Sequence, residues 1–212
     1  MRPLILTLLF FSFLSCKKSN TAVEPVNNTP VELQSSVIVA GLVQPWEIIY
    51  GPDEQLWITE KLGKISKVNP VTKQITPIIT INDVVSNGEG GLLGMVLHPD
   101  FITFPYVYVV YNYNSANGYR EKVVRYTFAN NTLTSPSILI QDIPASSIHN
   151  GSRLLISADK KLIMTTGDAS NTSSSQNMNS LSGKVLRLNL DGTIPTDNPF
   201  TGSYVYSFGH RN

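Results

Sequence analysis

Leu56-Trp57-Ile58-Thr59, three further residues, then Gly63-Lys64-Ile65-Ser66-Lys67-Val68: this stretch decides the fold, because the chain says it again. Asp53 leads into it. Asp159 leads into Leu162-Ile163-Met164-Thr165 and then Gly183-Lys184-Val185-Leu186-Arg187-Leu188. Between the two, Asp100 leads into Tyr106-Val107-Tyr108-Val109-Val110-Tyr111 and then Lys122-Val123-Val124-Arg125-Tyr126. Each unit is an acidic turn, an apolar strand, a connection, and a strand that sets a basic residue among apolar ones. The acidic anchors lie 47 and 59 residues apart. Four-stranded propeller blades repeat at roughly 40 to 50 residues, with longer loops raising the spacing. An antiparallel sandwich uses the same kind of strand but does not demand this recurrence, so the propeller is preferred. Three units do not close a ring, which takes about four to eight blades. The expectation is all-β: about three blades of an incomplete β-propeller, the N-terminal half of something larger, over residues 35–212.

Outward from the repeat, the strand runs are bounded by Gly, Pro, Asn and Asp, and no long window carries a 3.6-residue apolar period, so helices are minor. The 212 residues carry 16 Lys and Arg against 15 Asp and Glu, a balance that removes the electrostatic case for nucleic acid or a polybasic membrane surface. A hydrophobic share of 42% is enough for a core, while a charged share of 15% leaves solubility to Asn, Ser and Thr, as in β-rich secreted chains. One cysteine makes no internal disulfide, and no His/Cys group has zinc-ligand spacing.

That cysteine belongs to an address. Arg2 precedes the apolar run Leu4 to Leu14, which is too short to span a bilayer and has the charge and length of a secretory signal. Phe13-Leu14-Ser15-Cys16 resembles a bacterial lipobox, in which the cysteine becomes the acylated first residue; the alternative is a plain signal peptide. Residues 1–15 therefore read as a lipoprotein-type signal peptide. Residues 16–34, including Asn27-Asn28-Thr29-Pro30, read as a tether without periodicity. The expected location is exported: periplasmic, or anchored at the outer membrane or cell surface through lipid on Cys16 alone.

Chemistry is expected where the units break their own pattern. Gly167 to Ser182 is a polar insertion where the first unit needs only three residues, and long loops in compact domains are usually functional. Gly88-Glu89-Gly90-Gly91 sets one carboxylate among glycines that let a ligand approach the backbone. Ser147-Ile148-His149-Asn150-Gly151 puts a histidine in a turn, as a base facing a cavity or as a turn-stabilising side chain. His98, before Pro99-Asp100, reads as a turn residue; His210 by itself says little. No nucleophile elbow, Walker loop or dinucleotide fingerprint is present.

The series Pro45-Trp46-Glu47-Ile48, Leu56-Trp57-Ile58-Thr59-Glu60, Gly88 through Met95, Leu97-His98-Pro99-Asp100-Phe101, His149-Asn150-Gly151, Thr166-Gly167-Asp168, Gly183 through Gly192 and Gly209-His210-Arg211-Asn212 resembles the soluble sugar dehydrogenases that use pyrroloquinoline quinone. The resemblance runs from about residue 38 to the last residue, in family order. It implies a six-bladed propeller with the quinone in its central mouth, oxidising the C1 hydroxyl of aldose sugars to lactones and passing electrons to a downstream acceptor. By the same resemblance His149 matches the general base and Asp168 the carboxylate that orients it. Arg211 and Asn212 match the pair that grips the quinone oxygens, and Glu89 falls where glucose enzymes place a substrate-contacting Gln.

Three departures accompany the match. Glu89 replaces that Gln with an anion, and Ile148 stands where glucose enzymes have Asp, so glucose specificity does not carry over. The family's calcium ligands lie beyond Asn212, so calcium is implied for the full-length form with no ligand here. A non-catalytic cell-surface propeller that binds glycans or proteins is the alternative. A propeller lactonase is disfavoured by the lack of acidic residues at the blade mouths.

Overall fold

A computed structural model describes residues 32–212. The signal peptide, Cys16 and most of the proposed tether lie outside the described residues. Residues 32–44 form neither strand nor helix, and the first strand opens at Pro45.

Twelve strands follow, in three antiparallel four-stranded sheets among the described residues. Blade 1 is β1 (Pro45–Tyr50), β2 (Leu56–Glu60), β3 (Lys64–Val68) and β4 (Ile75–Thr80). Blade 2 is β5 (Leu92–Leu97), β6 (Tyr106–Ser115), β7 (Gly118–Ala129) and β8 (Thr132–Pro144). Blade 3 is β9 (Gly151–Ile156), β10 (Lys161–Thr166), β11 (Lys184–Asn189) and β12 (Val205–Phe208). Each sheet is a simple meander, every strand paired with its neighbours in sequence. The first strands of the blades pack together, β5 against both β1 and β9, so these three line the inner side. The repeated stretches are the middle two strands of each blade.

Why β6 reads as an almost unbroken apolar run is clear from where its side chains go. Successive residues of a strand point to opposite faces. Val107, Val109 and Tyr111 enter a core shared with Trp57, Ile65, Leu92 and Met95 of blades 1 and 2. Tyr108 and Val110 enter a second core with Leu154, Leu162, Met164, Leu186 and Leu188 of blade 3. A sheet buried on both faces needs apolar residues at both parities. Blades 1 and 3 each keep one flank open, with Ile48, Tyr50, Leu155 and Tyr206 exposed.

The acidic anchors are not equivalent. Asp53 accepts from Trp57 Nε1 (3.0 Å) and meets Lys67 Nζ (3.2 Å), and Asp159 meets Arg187 (2.6 Å). Asp100 instead caps its own turn at Thr103 and Phe104, while Arg125 lies over the Tyr106 ring (4.5 Å) and reaches the Leu190 carbonyl of blade 3. The reason is reach: Asp53 and Asp159 stand directly before their strands, whereas the turn 101–105 separates Asp100 from β6.

Candidate active site

The starts of the three inner strands lie at one end of the blades, and the irregular segments gather there. Trp46 is the second residue of β1, Glu89 stands just before β5, and His149 just before β9. Loop 167–183 joins β10 to β11, and residues 209–212 return over blade 3 after β12.

His149 adopts a left-handed conformation, φ 57°, which a non-glycine residue holds only when its surroundings fix it. Its surroundings do. The His149 amide donates to Glu89 Oε2 (2.7 Å), and the Glu89 amide donates to the Ser147 carbonyl (2.7 Å), a reciprocal clasp between blades 2 and 3. The His149 carbonyl accepts the Ala169 amide (3.1 Å). Any side chain at Gly88 would run into the Ser147 carbonyl, and any at Gly167 into that of His149, so both positions require glycine for close approach.

The imidazole Nδ1 lies 2.9 Å from Asp168 Oδ1. Asp168 is 1% exposed, and the Ser170 amide donates to the same oxygen (2.9 Å). A carboxylate there is a hydrogen-bond acceptor for an Nδ1–H, and that tautomer has its lone pair on Nε2. Asp168 is tied from behind, its amide donating to the Arg211 carbonyl (2.8 Å). Asn212 Oδ1 accepts the Gly151 amide (3.0 Å), which brings the chain's last residue to the start of β9.

Two clefts lie nearby, one lined by the residues that follow His149 and the other by Asp168. One of about 220 Å³ is lined by Trp46, Glu89, Leu93, Asn150, Gly151 and Asn212. The other, about 210 Å³, is lined by residues that include Asp168, Gln176, His210 and Arg211. Arg211 is exposed, and no carboxylate pairs with it among the described residues. The five described residues singled out from sequence are neighbours at this end of the blades: Glu89, His149, Asp168 and Arg211 are joined in series by direct hydrogen bonds, with Asn212 next in the chain. Glu89 and Asn212 line the first cleft, Asp168 and Arg211 the second. Ile148, 42% exposed, neighbours the pair. His98 keeps to its turn, accepting the Asp100 amide at Nδ1 (3.1 Å), and His210 Nε2 meets Ser207 Oγ (2.8 Å). Among the described residues no three His, Cys, Asp or Glu side chains form a metal cluster.

Sequence reasoning missed three supports. Arg153 pairs with Glu47 and lies over the Trp46 ring (4.4 Å), linking the inner strands of blades 1 and 3. Glu121, 1% exposed, accepts from the Ser152 hydroxyl directly below the His149 turn, and burial pushes its carboxyl up to about 8. Lys184, 0% exposed, donates to loop carbonyls and has its pKa lowered by desolvation. No local signal marked the last two, since Glu121 lies between Arg120 and Lys122 and Lys184 occupies the same repeat position as Lys64.

Comparison with known proteins agrees with this architecture. The family model described as Glucose / Sorbosone dehydrogenase matches residues 42–212. Quinoprotein glucose dehydrogenase B of Acinetobacter calcoaceticus is 36% identical over 209 residues, covering 83% of this chain and 44% of that protein. Aldose sugar dehydrogenase YliI of Escherichia coli is 27% identical over 194 residues, covering 86% and 52%. The PQQ-bound aldose sugar dehydrogenase of Streptomyces coelicolor superimposes with a TM-score of 0.79 at 34% identity, covering 84% of this chain and 54% of that one. The chain thus spans about half the length of the relatives it matches. On the extent of that match and on the three-blade architecture it fits, the chain belongs to the glucose/sorbosone dehydrogenase family.

Proposed function

We propose that the complete protein oxidises the C1 hydroxyl of an aldose to a lactone, with pyrroloquinoline quinone as the acceptor. The observation that carries this reading is the His149–Asp168 pair, 2.9 Å apart, with Asp168 lining one cleft and Asn150 and Gly151, the residues after His149, lining another. His149 Nε2 takes the proton of the C1 hydroxyl as a general base, with Nδ1 bonded to Asp168. Asp168 fixes the tautomer and stabilises the imidazolium as it forms. Glu89 holds the His149 turn with one oxygen and presents the rest of its carboxylate to the cleft beside Trp46, where a sugar ring would lie.

The residues at the mouth fit an anionic, oxygen-rich cofactor. Arg211 offers an exposed guanidinium without a carboxylate partner among the described residues, and Asn212, whose oxygen is taken by Gly151, keeps its amide NH2 for a ligand. These two would hold the quinone oxygens. When bound, the quinone supplies the electrophilic carbon that receives the sugar's hydride. A guanidinium at that place stabilises negative charge on the reduced ring. Calcium enters this proposal through the family resemblance alone, and no step is assigned to it. Export and lipid attachment through Cys16, and transfer to a downstream electron acceptor, are likewise proposed from the sequence and the family.

The test is dye reduction by the full-length protein supplied with quinone and calcium, over a panel of aldoses. Activity is expected, and His149→Ala should lower turnover by about 10²- to 10⁴-fold. No reduction with any aldose, or a variant as fast as the parent, defeats the reading; retained glycan binding without quinone binding would point to a non-catalytic propeller.

A further inference from the structure

The repeat puts a lysine after a glycine at the start of the third strand of blades 1 and 3, yet the two lysines have different company. The Lys64 side chain is 40% exposed and pairs with Glu60 (3.2 Å). Lys184 is 0% exposed, and no carboxylate meets it among the described residues. Its Nζ donates to the carbonyls of Ser174 (2.8 Å), Ser175 (2.9 Å) and Ser182 (2.7 Å). An ammonium has three donors, and all three are used. A buried charge is costly unless it is fully hydrogen-bonded, so the contacts that satisfy Lys184 are also what it holds in place.

What it holds is loop 167–183, and that loop grips the mouth at two points. Ser174 Oγ donates to the Asp168 carbonyl (3.2 Å). Ser175 Oγ donates to the His210 carbonyl (2.6 Å), and the Ser175 carbonyl that accepts from Lys184 also accepts the Gly209 amide (2.9 Å). The His210 amide donates to the Gly183 carbonyl (3.1 Å), one residue before the lysine. A single buried charge is thus fastened to the carboxylate behind His149 and to the segment that carries Arg211 and Asn212.

We infer that Lys184 is a positioning residue of this site, acting through loop 167–183 to hold Asp168 against His149 and to seat residues 209–212. The effect on turnover rests on the sugar-dehydrogenase reading; the positioning itself does not. Without the ammonium, the Ser182 carbonyl loses the partner it has among the described residues. The Ser174 and Ser175 carbonyls keep only the Asn177 and Gly209 amides.

The experiment compares Lys184→Met and Lys184→Arg with the parent in the full-length protein. In the parent, proton NMR should show a slowly exchanging, downfield His149 Nδ1 proton. Lys184→Met should broaden or lose it and speed amide exchange at Asp168, Gly183 and His210. kcat should fall by up to about 10²-fold, the scale of a catalytic group misplaced by an ångström, with KM changed far less and Lys184→Arg recovering part of the loss. A folded Lys184→Met protein with the parental Nδ1 resonance and kcat overturns the inference. If Lys184→Met does not fold, Ser175→Ala, which removes only the bond to the His210 carbonyl, should show the same changes at smaller size; parental behaviour there overturns it equally. A parent that oxidises no aldose defeats the reaction reading alone, since resonance and exchange still decide the role of Lys184.

Discussion

The two seams between blades are built from different materials. The seam of blades 1 and 2 is centred on Trp57, whose ring meets Phe101 and Phe128 edge-on at 5.8 and 4.9 Å. The seam of blades 2 and 3 is largely aliphatic, with Leu154, Leu162, Met164, Leu186 and Leu188 against Tyr108, Val110 and Val123. Each region also buries a carboxyl. Glu60 in blade 1 has the Lys64 ammonium at 3.2 Å and the Val43 amide at 2.5 Å, whereas Glu121, among the described residues, has only the Ser152 hydroxyl. Glu121 lies under the turn that carries His149. The lesson is that the seam away from that turn is packed and charge-compensated, while the seam beneath it carries an uncompensated acid.

The largest effect should come from breaking the aromatic seam. Trp57 is 0% exposed, and its Nε1 is satisfied by Asp53, so Trp57→Ala loses a buried ring and leaves a cavity. A loss of about 3–5 kcal/mol in urea unfolding is expected. A loss below about 1 kcal/mol, the scale of an ordinary substitution, would show that this seam does not depend on its aromatic centre.

Trp57 was also among the most legible residues, and the reasons for legibility are physical. The middle strands carry much of each blade's burial: β2 and β6 are buried at successive positions and read as apolar runs, while β10 alternates buried with half-buried residues, Leu162 and Met164 facing the core. The outer strands conceal theirs: β8 passes through Ser135 and Asp142 at positive φ and shifts register against β7, so its alternation is broken. At the site, His149 and Asp168 were accessible through short motifs. The clasp between His149 and Glu89 was not, because 60 residues separate its partners. Lys184 was hidden for the opposite reason: it occupies the repeat position of Lys64, and only three-dimensional burial tells them apart.

A smaller effect should expose the uncompensated acid. The Glu121 carboxyl, pushed by burial from the ordinary carboxylate range up to about 8, stays protonated in the fold at pH values where the unfolded chain has ionised. The unfolded state then binds fewer protons than the native one, so stability falls as pH rises through this window and levels off above about pH 8. Each unit costs about 1.4 kcal/mol, so between about pH 6 and 7.5 the parent should lose about 2 kcal/mol more than Glu121→Gln. Urea midpoints for the two proteins across that range measure the difference. Parallel pH dependences would mean that Glu121 is not the acid that separates the seams.

The smallest effect should be at the clasp between the blades. Glu89→Gln keeps an oxygen for the His149 amide but exchanges a charged acceptor for a neutral one. Hydrogen bonds to charged groups contribute about 1.5–3 kcal/mol against about 0.5–1.5 for neutral ones, so the turn should loosen by about 1 kcal/mol. If Glu89 acts chiefly through that turn, kcat on an aldose should drop by no more than about tenfold, while Glu89→Ala, which removes the acceptor, should do more damage. If the carboxylate instead acts chiefly on the sugar, Glu89→Gln should change KM and the order of preferred aldoses while leaving the His149 Nδ1 proton undisturbed. Steady-state kinetics on several sugars, read beside that resonance, separates the two, because the backbone clasp is blind to which sugar is bound and a direct contact is not.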